Sequence, residues 1–229
     1  MKPTINEIEK AKQIVNNLIK EDFFEAIICE DNDNFFDWCN THRSLLGGDI
    51  KVYCGETKAC IVSNELSNWV IKVGFTYNDE YRDEDVTDFC AIEARNFEGA
   101  AAVGLEEFFA ASYKLCELTP PEKYNFKENI SFFIQEKAVP DEEKTSSTCA
   151  SYMGSNKNNE EDDEDNDDYY CDEYDDYDDD DRLESLFYGN EKYDELTAFI
   201  HEFNINDLHS GNFGYTPDGR VKIIDYSGF

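Results

Sequence analysis

Residues Asn206 to Phe229 read NDLHSGNFGYTPDGRVKIIDYSGF, and their reading decides the fold. Two short runs that are apolar or alternating, 213–215 and 220–224, flank Thr216-Pro217-Asp218-Gly219. Proline and glycine in a four-residue joint signal a tight turn, so the spacing predicts a β-hairpin. Asp207 and Asn212 precede the first strand and Asp225 ends the second, so three polar groups surround one small hairpin. A carboxylate and an amide oxygen that converge suit Mg²⁺, which takes oxygen ligands and usually binds together with substrate phosphates. A separate carboxylate nearby can accept a hydroxyl proton.

Outward from this stretch, the run 191–203 carries Leu196, Phe199, Ile200 and Phe203 at helical spacing, which predicts a helix docked behind the hairpin. Leu183 to Phe187 predicts a short helical turn. Further upstream the period changes to two. Asp49 to Tyr53, Lys58 to Ser63 and Trp69 to Phe75 read as strands, with turns at 55–57 and 64–65. A helix capped by Asp88 or Thr87 then runs to about Val103, with Phe89, Ile92, Phe97 and Ala100 inward and Gly104 as its stop. Phe108 to Leu118 and Ile130 to Val139 read as two more strands. Lys72 lies inside the apolar run Val70-Ile71-Lys72-Val73, where an ammonium needs a charge partner. Glu93, on the following helix, is one candidate partner and Glu98 the other.

The Asp207-x4-Asn212 loop followed by Asp225-Tyr226-Ser227-Gly228 resembles the catalytic and metal-binding loops of the protein-kinase-like superfamily. The DLHSGN wording is similar to the aminoglycoside-phosphotransferase branch and to small kinase-like proteins of bacteria and their phages. The order of three strands, a helix and two strands resembles the small lobe of that fold. The resemblance spans about 45–140 and 183–229. It implies an α+β, two-lobed fold with a five-stranded antiparallel N-lobe sheet, one αC-type helix and a truncated, minimal helical C-lobe. The implied divisions are an N-terminal helical extension (1–44), the N-lobe (45–140), an acidic insertion (141–182) and the C-lobe (183–229).

The resemblance also implies roles. ATP and Mg²⁺ would be the cofactors. Lys72, oriented by Glu93, would hold the α- and β-phosphates. Asn212 and Asp225 would bind the metal, Asp207 would orient and deprotonate an acceptor hydroxyl, and His209 would lie near the γ-phosphate. Gly55 and Lys58 stand where the family has its glycine-rich phosphate loop, and backbone groups of Glu136 and Ala138 would meet the adenine edge. Two departures stand out: the nucleotide loop holds a single glycine, and the chain ends four residues after Asp225. They keep open a non-catalytic binding module as the rival of a phosphotransferase.

The remainder of the chain narrows the class. A length of 229 residues with 40% apolar and 14% aromatic content is enough for a sizeable core. Net charge is −33, and the sixteen acidic residues between Glu160 and Asp181, with no Lys or Arg among them, supply about half of it. An acidic body is a poor ligand for nucleic-acid phosphates, so nucleic acid is not an expected partner. Such charge density cannot bury a core, so 141–181 is expected to stay disordered. As an arm, 159–181 would engage a basic protein, and Tyr169, Tyr170, Tyr174 and Tyr177 within it are candidate phosphoacceptors. The eight cysteines and three histidines form no zinc spacing. The N-terminus lacks an apolar signal core and no run is long enough to span a membrane, so the expected compartment is the cytoplasm. Thr4-x-x-Glu7 is a capping box opening a helix over 5–20. Glu30 to Asn34 is expected to be a loop.

Overall fold

The computed structural model describes residues 1–28, 32–42, 49–54, 57–75, 88–124, 128–140, 179–206, 208 and 210–227. Its central sheet is built from β1 (Ile50–Cys54), β2 (Lys58–Ser63), β3 (Trp69–Gly74), β4 (Ser112–Leu118) and β5 (Ile130–Glu136), in the order β1-β2-β3-β5-β4. Every pairing is antiparallel. The fold is thus α+β around a five-stranded antiparallel sheet.

The pairing register explains why the strands alternate. Val52 faces Ile61, Ile61 faces Ile71 and Ile71 faces Ile134, while Ala59 faces Val73 and Val73 faces Phe132. Side chains directly opposite share a face, so these residues form one apolar face, and all are essentially inaccessible to solvent. The other face carries Lys58, Cys60, Lys72, Phe133 and Gln135. That face holds the polar cluster described below.

The N-terminal segment is helical. In α1 (Ile5–Lys20) both halves of the capping box form, with Glu7 N–H donating to Thr4 Oγ1 and the Thr4 N–H to Glu7 Oε2. Ala11, Ile14, Val15 and Leu18 are its buried stripe. After α2 (Phe23–Ile27), α3 covers Asn32–Thr41. The loop expected over 30–34 is corrected at 32–34, which open this helix, while residues 30 and 31 lie outside the described residues. Phe35, Trp38 and Cys39 are buried at helical spacing, and Phe35 meets Phe75 ring to ring at 5.0 Å. That apolar stripe outweighs the loop-forming tendency of the Asp and Asn residues before it.

The crossover helix α4 (Phe89–Ala102) is capped by Asp88, whose carboxylate accepts from Ala91 N–H at 3.1 Å. It buries Cys90, Glu93, Asn96, Phe97 and Ala100, not the set expected from apolar spacing alone, since Phe89 and Ile92 are only half-buried. Gly104 follows at φ +80°, the left-handed conformation that suits glycine at a helix end.

Two strands, β4 and β5, fall short of their sequence expectation by three residues or more. The apolar run begins at Phe108 but β4 starts at Ser112, because 108–110 serve another partner. Phe109 bridges Ile223 in parallel, the Ala110 N–H donates to the Ile223 carbonyl at 2.9 Å, and the Ile223 N–H donates to the Phe108 carbonyl at 2.8 Å. β5 stops at Glu136, and the chain resumes as β6 (Val139–Pro140) on a second sheet with β7 (Phe213–Tyr215) and β8 (Val221–Ile223), in the order β6-β7-β8. A Cβ on Gly214 would lie 3.1 Å from both the Val139 carbonyl oxygen and Ala138 Cβ, so the β6–β7 approach depends on glycine there.

Among the described residues two further α-helices precede β7, α5 (Asp179–Phe187) and α6 (Tyr193–Glu202). The expected disorder through 181 is corrected at its end, where the last acidic residues become the first turn of α5. Acidic residues are favoured at a helix start by its unpaired N–H groups and its dipole. The rest of the insertion lies outside the described residues. One apolar cluster runs from Ala11 to Tyr226, and Phe109 joins its parts, with rings at 5.6 Å from Phe199 and 5.1 Å from Tyr226. Among the described residues no helix is long and apolar enough to cross a membrane.

Candidate functional site

Glu93 is fully buried on α4 at a point where three adjacent strands send polar side chains to the same face. Lys58 on β2 pairs with Gly74, two residues along β3 from Lys72, and Gln135 on β5 pairs with Val70, two residues the other way. The period of two therefore aims all three at the helix. Lys58 Nζ reaches Glu93 Oε1 at 2.7 Å, Lys72 Nζ reaches Oε2 at 3.0 Å, and Gln135 Nε2 donates to Oε2 at 3.1 Å. A buried charge is tolerated only when paired and hydrogen-bonded, and this one has both.

The segment leaving β8 closes the cluster. Lys72 Nζ also donates to the Ile224 carbonyl at 2.8 Å, Lys58 Nζ donates to Asp225 Oδ1 at 2.6 Å, and Asn96 Nδ2 donates to the Tyr226 carbonyl at 2.8 Å. Three consecutive residues are thus latched by β3, β2 and α4 in turn. Ser227 Oγ stands 3.3 Å from Lys58 Nζ, and Tyr226 Oη donates to the Ala110 carbonyl at 2.5 Å. The cluster holds two ammonium groups and two carboxylates, so it is neutral overall.

Its electrostatics follow from burial set against charge. Burial disfavours the Lys58 ammonium, but Glu93 and then Asp225 overcome this and hold its pKa above the ordinary lysine value. Burial likewise works against the Asp225 carboxylate, and Lys58 with Lys72 outweighs it, so Asp225 stays ionised well below the usual carboxylate range. Glu93 is the deepest of the three; burial raises its pKa and the two lysines pull it back. Burial also pushes the Cys60 thiol up to about 11 and the Cys90 thiol well above its ordinary value, so both are protonated at neutral pH.

Of the residues singled out in the sequence, Lys58, Lys72, Glu93 and Asp225 meet in this one cluster. Glu98, the alternative partner for Lys72, is exposed. Asn212 is buried beside the cluster, and its carbonyl accepts from Ile224 N–H at 2.8 Å, one residue before Asp225. Glu136 is committed elsewhere. Its N–H donates to the Ala111 carbonyl at 2.7 Å, and its buried carboxylate lies 3.3 Å from Arg220 Nη2 and 3.8 Å from Lys222 Nζ. Lys222 also donates to the Glu107 carbonyl at 2.7 Å, and burial lowers its pKa. Ala138 is half-buried between β5 and β6. Gly55, Asp207 and His209 lie outside the described residues.

Sequence reasoning missed Gln135 and Asn96, and it assigned Lys58 to phosphate without seeing its two carboxylate partners. The available signal was register: once the β2–β3 turn is placed, Lys58 and Lys72 must share a face. Among the described residues no three His, Cys, Asp or Glu side chains cluster as a metal centre. No family model matches this chain, and comparison with the curated proteins gives no match.

Proposed function

We propose that this chain is a kinase-like phosphotransferase that takes ATP and passes its γ-phosphoryl group to a hydroxyl of a protein or small molecule. The observation that carries this reading is the Lys72–Glu93 pair, 3.0 Å between β3 and α4, sharing one cluster with Asp225 at the end of β8. Lys72 would grip the α- and β-phosphates, with Glu93 and Gln135 fixing its side chain. Asp207 would take the acceptor's proton as the oxygen attacks the γ-phosphorus and the bond to the bridging oxygen breaks in line. The residue types at the β8 end suit Mg²⁺: Asp225 is an ionised carboxylate with about a third of its side chain (32%) exposed, and Asn212, whose backbone carbonyl accepts from Ile224 N–H at 2.8 Å, is an amide residue held one position from it across that hydrogen bond. Those two residues would hold the ion, whose chemistry is neutralisation of the charge developing on the transferred phosphoryl group.

The test is release of ADP from ATP by wild type and by Asp207→Asn. General-base removal is expected to cut turnover about 100-fold or more. Undiminished turnover in the variant would contradict the assignment. One observation favours a second reading, a nucleotide-responsive binding module without transfer: Lys58 already neutralises Asp225 at 2.6 Å. Wild-type protein that binds ATP but never turns it over would select that reading, and the acidic segment 159–181 would then be the surface offered to a basic partner.

A further inference from the structure

We infer that Lys58 is the resident cation of the Asp225 site, and that nucleotide binding at this cluster does not require a divalent metal. The inference rests on the nucleotide reading above and concerns binding, as distinct from transfer. Its basis is placement. Lys58 Nζ sits 2.6 Å from Asp225 Oδ1, 2.7 Å from Glu93 Oε1 and 3.3 Å from Ser227 Oγ, all oxygen partners. It therefore occupies, as an ammonium, the position on the carboxylate that a hard cation would seek. The side chain is 9% exposed and is delivered by a central strand, not by a surface loop.

Charge counting makes the consequence specific. Lys58 and Lys72 balance Glu93 and Asp225, so the cluster as it stands offers no net repulsion to a polyanion. Remove Lys58 and two carboxylates face a single ammonium, already engaged with Glu93 and the Ile224 carbonyl. A triphosphate approaching that site would meet an uncompensated Asp225. A Mg²⁺ ion held on Asp225 would then supply the positive charge that Lys58 had provided. The metal requirement for binding is thus created by the loss of Lys58, not built into the wild type.

The experiment follows the unfolding midpoint during ATP titration, in EDTA and in excess Mg²⁺, for wild type, Lys58→Met and Lys58→Arg. Wild type and Lys58→Arg are expected to bind ATP in EDTA with an apparent Kd within a fewfold of that in Mg²⁺. Lys58→Met should lose about tenfold or more in EDTA and recover when Mg²⁺ is added. A wild-type response abolished by EDTA and restored by Mg²⁺ overturns the inference while leaving the nucleotide site standing. So does a Lys58→Met response that is indifferent to metal. No response from wild type in either condition removes the nucleotide reading and this inference with it. If Lys58→Met does not fold, the wild-type comparison between EDTA and Mg²⁺ is decisive by itself.

Discussion

A carboxylate with no contact to solvent persists on a helix only where cations come to it, and Glu93 is reached by two, from β2 and β3. Replacing it with glutamine keeps the shape and removes the charge, leaving Lys58 and Lys72 to share Asp225. Breaking a buried ion pair from one side costs about 3–5 kcal/mol, since the orphaned charge stays desolvated. Glu93→Gln should therefore lower stability by about 3 kcal/mol in urea unfolding. A loss within experimental error would mean that the cluster is far wetter than its geometry indicates. Lys72 is legible in the sequence because an apolar strand cannot hold an ammonium unaided, whereas the choice of Glu93 over Glu98 rests on the resemblance and on the observed geometry. Gln135 and Asn96 are not legible, since their partners lie 42 and 130 residues away and neither carries a charge to demand one.

At the scale of elements, the β7–β8 joint shows how local chemistry sets a turn. The Thr216 N–H donates to the Arg220 carbonyl at 2.9 Å, the Gly219 N–H to the Thr216 carbonyl at 2.8 Å, and Gly219 takes φ +82°. Thr216 Oγ1 and Arg220 Nε hold the two oxygens of Asp218, so hydrogen bonding to Thr216 and then Arg220 lowers its pKa below the ordinary aspartate value. A carboxyl with a depressed folded pKa adds stability above its unfolded pKa and loses it as pH falls through the folded value. Asp218→Asn should thus lower the unfolding midpoint slightly at neutral pH, the carboxylate being exposed, and the gap should close in strong acid. A gap that persists below about pH 2 would assign the effect to shape instead of charge. This hairpin is the most legible element because all its signals lie within a dozen residues. The sequence overstates β4 because Phe108 to Ala111 are as apolar as any strand, and only the distant Ile223 reveals their other role. It hides the start of α3 because the first residues there are polar, while the buried Phe35–Trp38–Cys39 stripe comes after them.

For the molecule as a whole, the five strands of the main sheet are legible one by one from their apolar or alternating runs, whereas their antiparallel pairing and the α+β class are what the kinase-like resemblance implies and the pairing register shows. The site does not follow in that way, since it is made by segments from β2 to the end of β8, and sequence periodicity says nothing of which faces meet. We propose the Lys72–Glu93–Asp225 cluster as a nucleotide site. Its most direct test is the unfolding midpoint of wild type and Lys72→Met across an ATP titration with Mg²⁺ present, each against its own nucleotide-free value. A ligand that binds only the folded chain must raise the midpoint by mass action, by about 2.7 kcal/mol of stability at a hundred times its Kd. The midpoint is expected to rise with ATP concentration in wild type and to show no rise in Lys72→Met. An unchanged wild-type midpoint at millimolar ATP, or an equal rise in both proteins, would contradict the proposal.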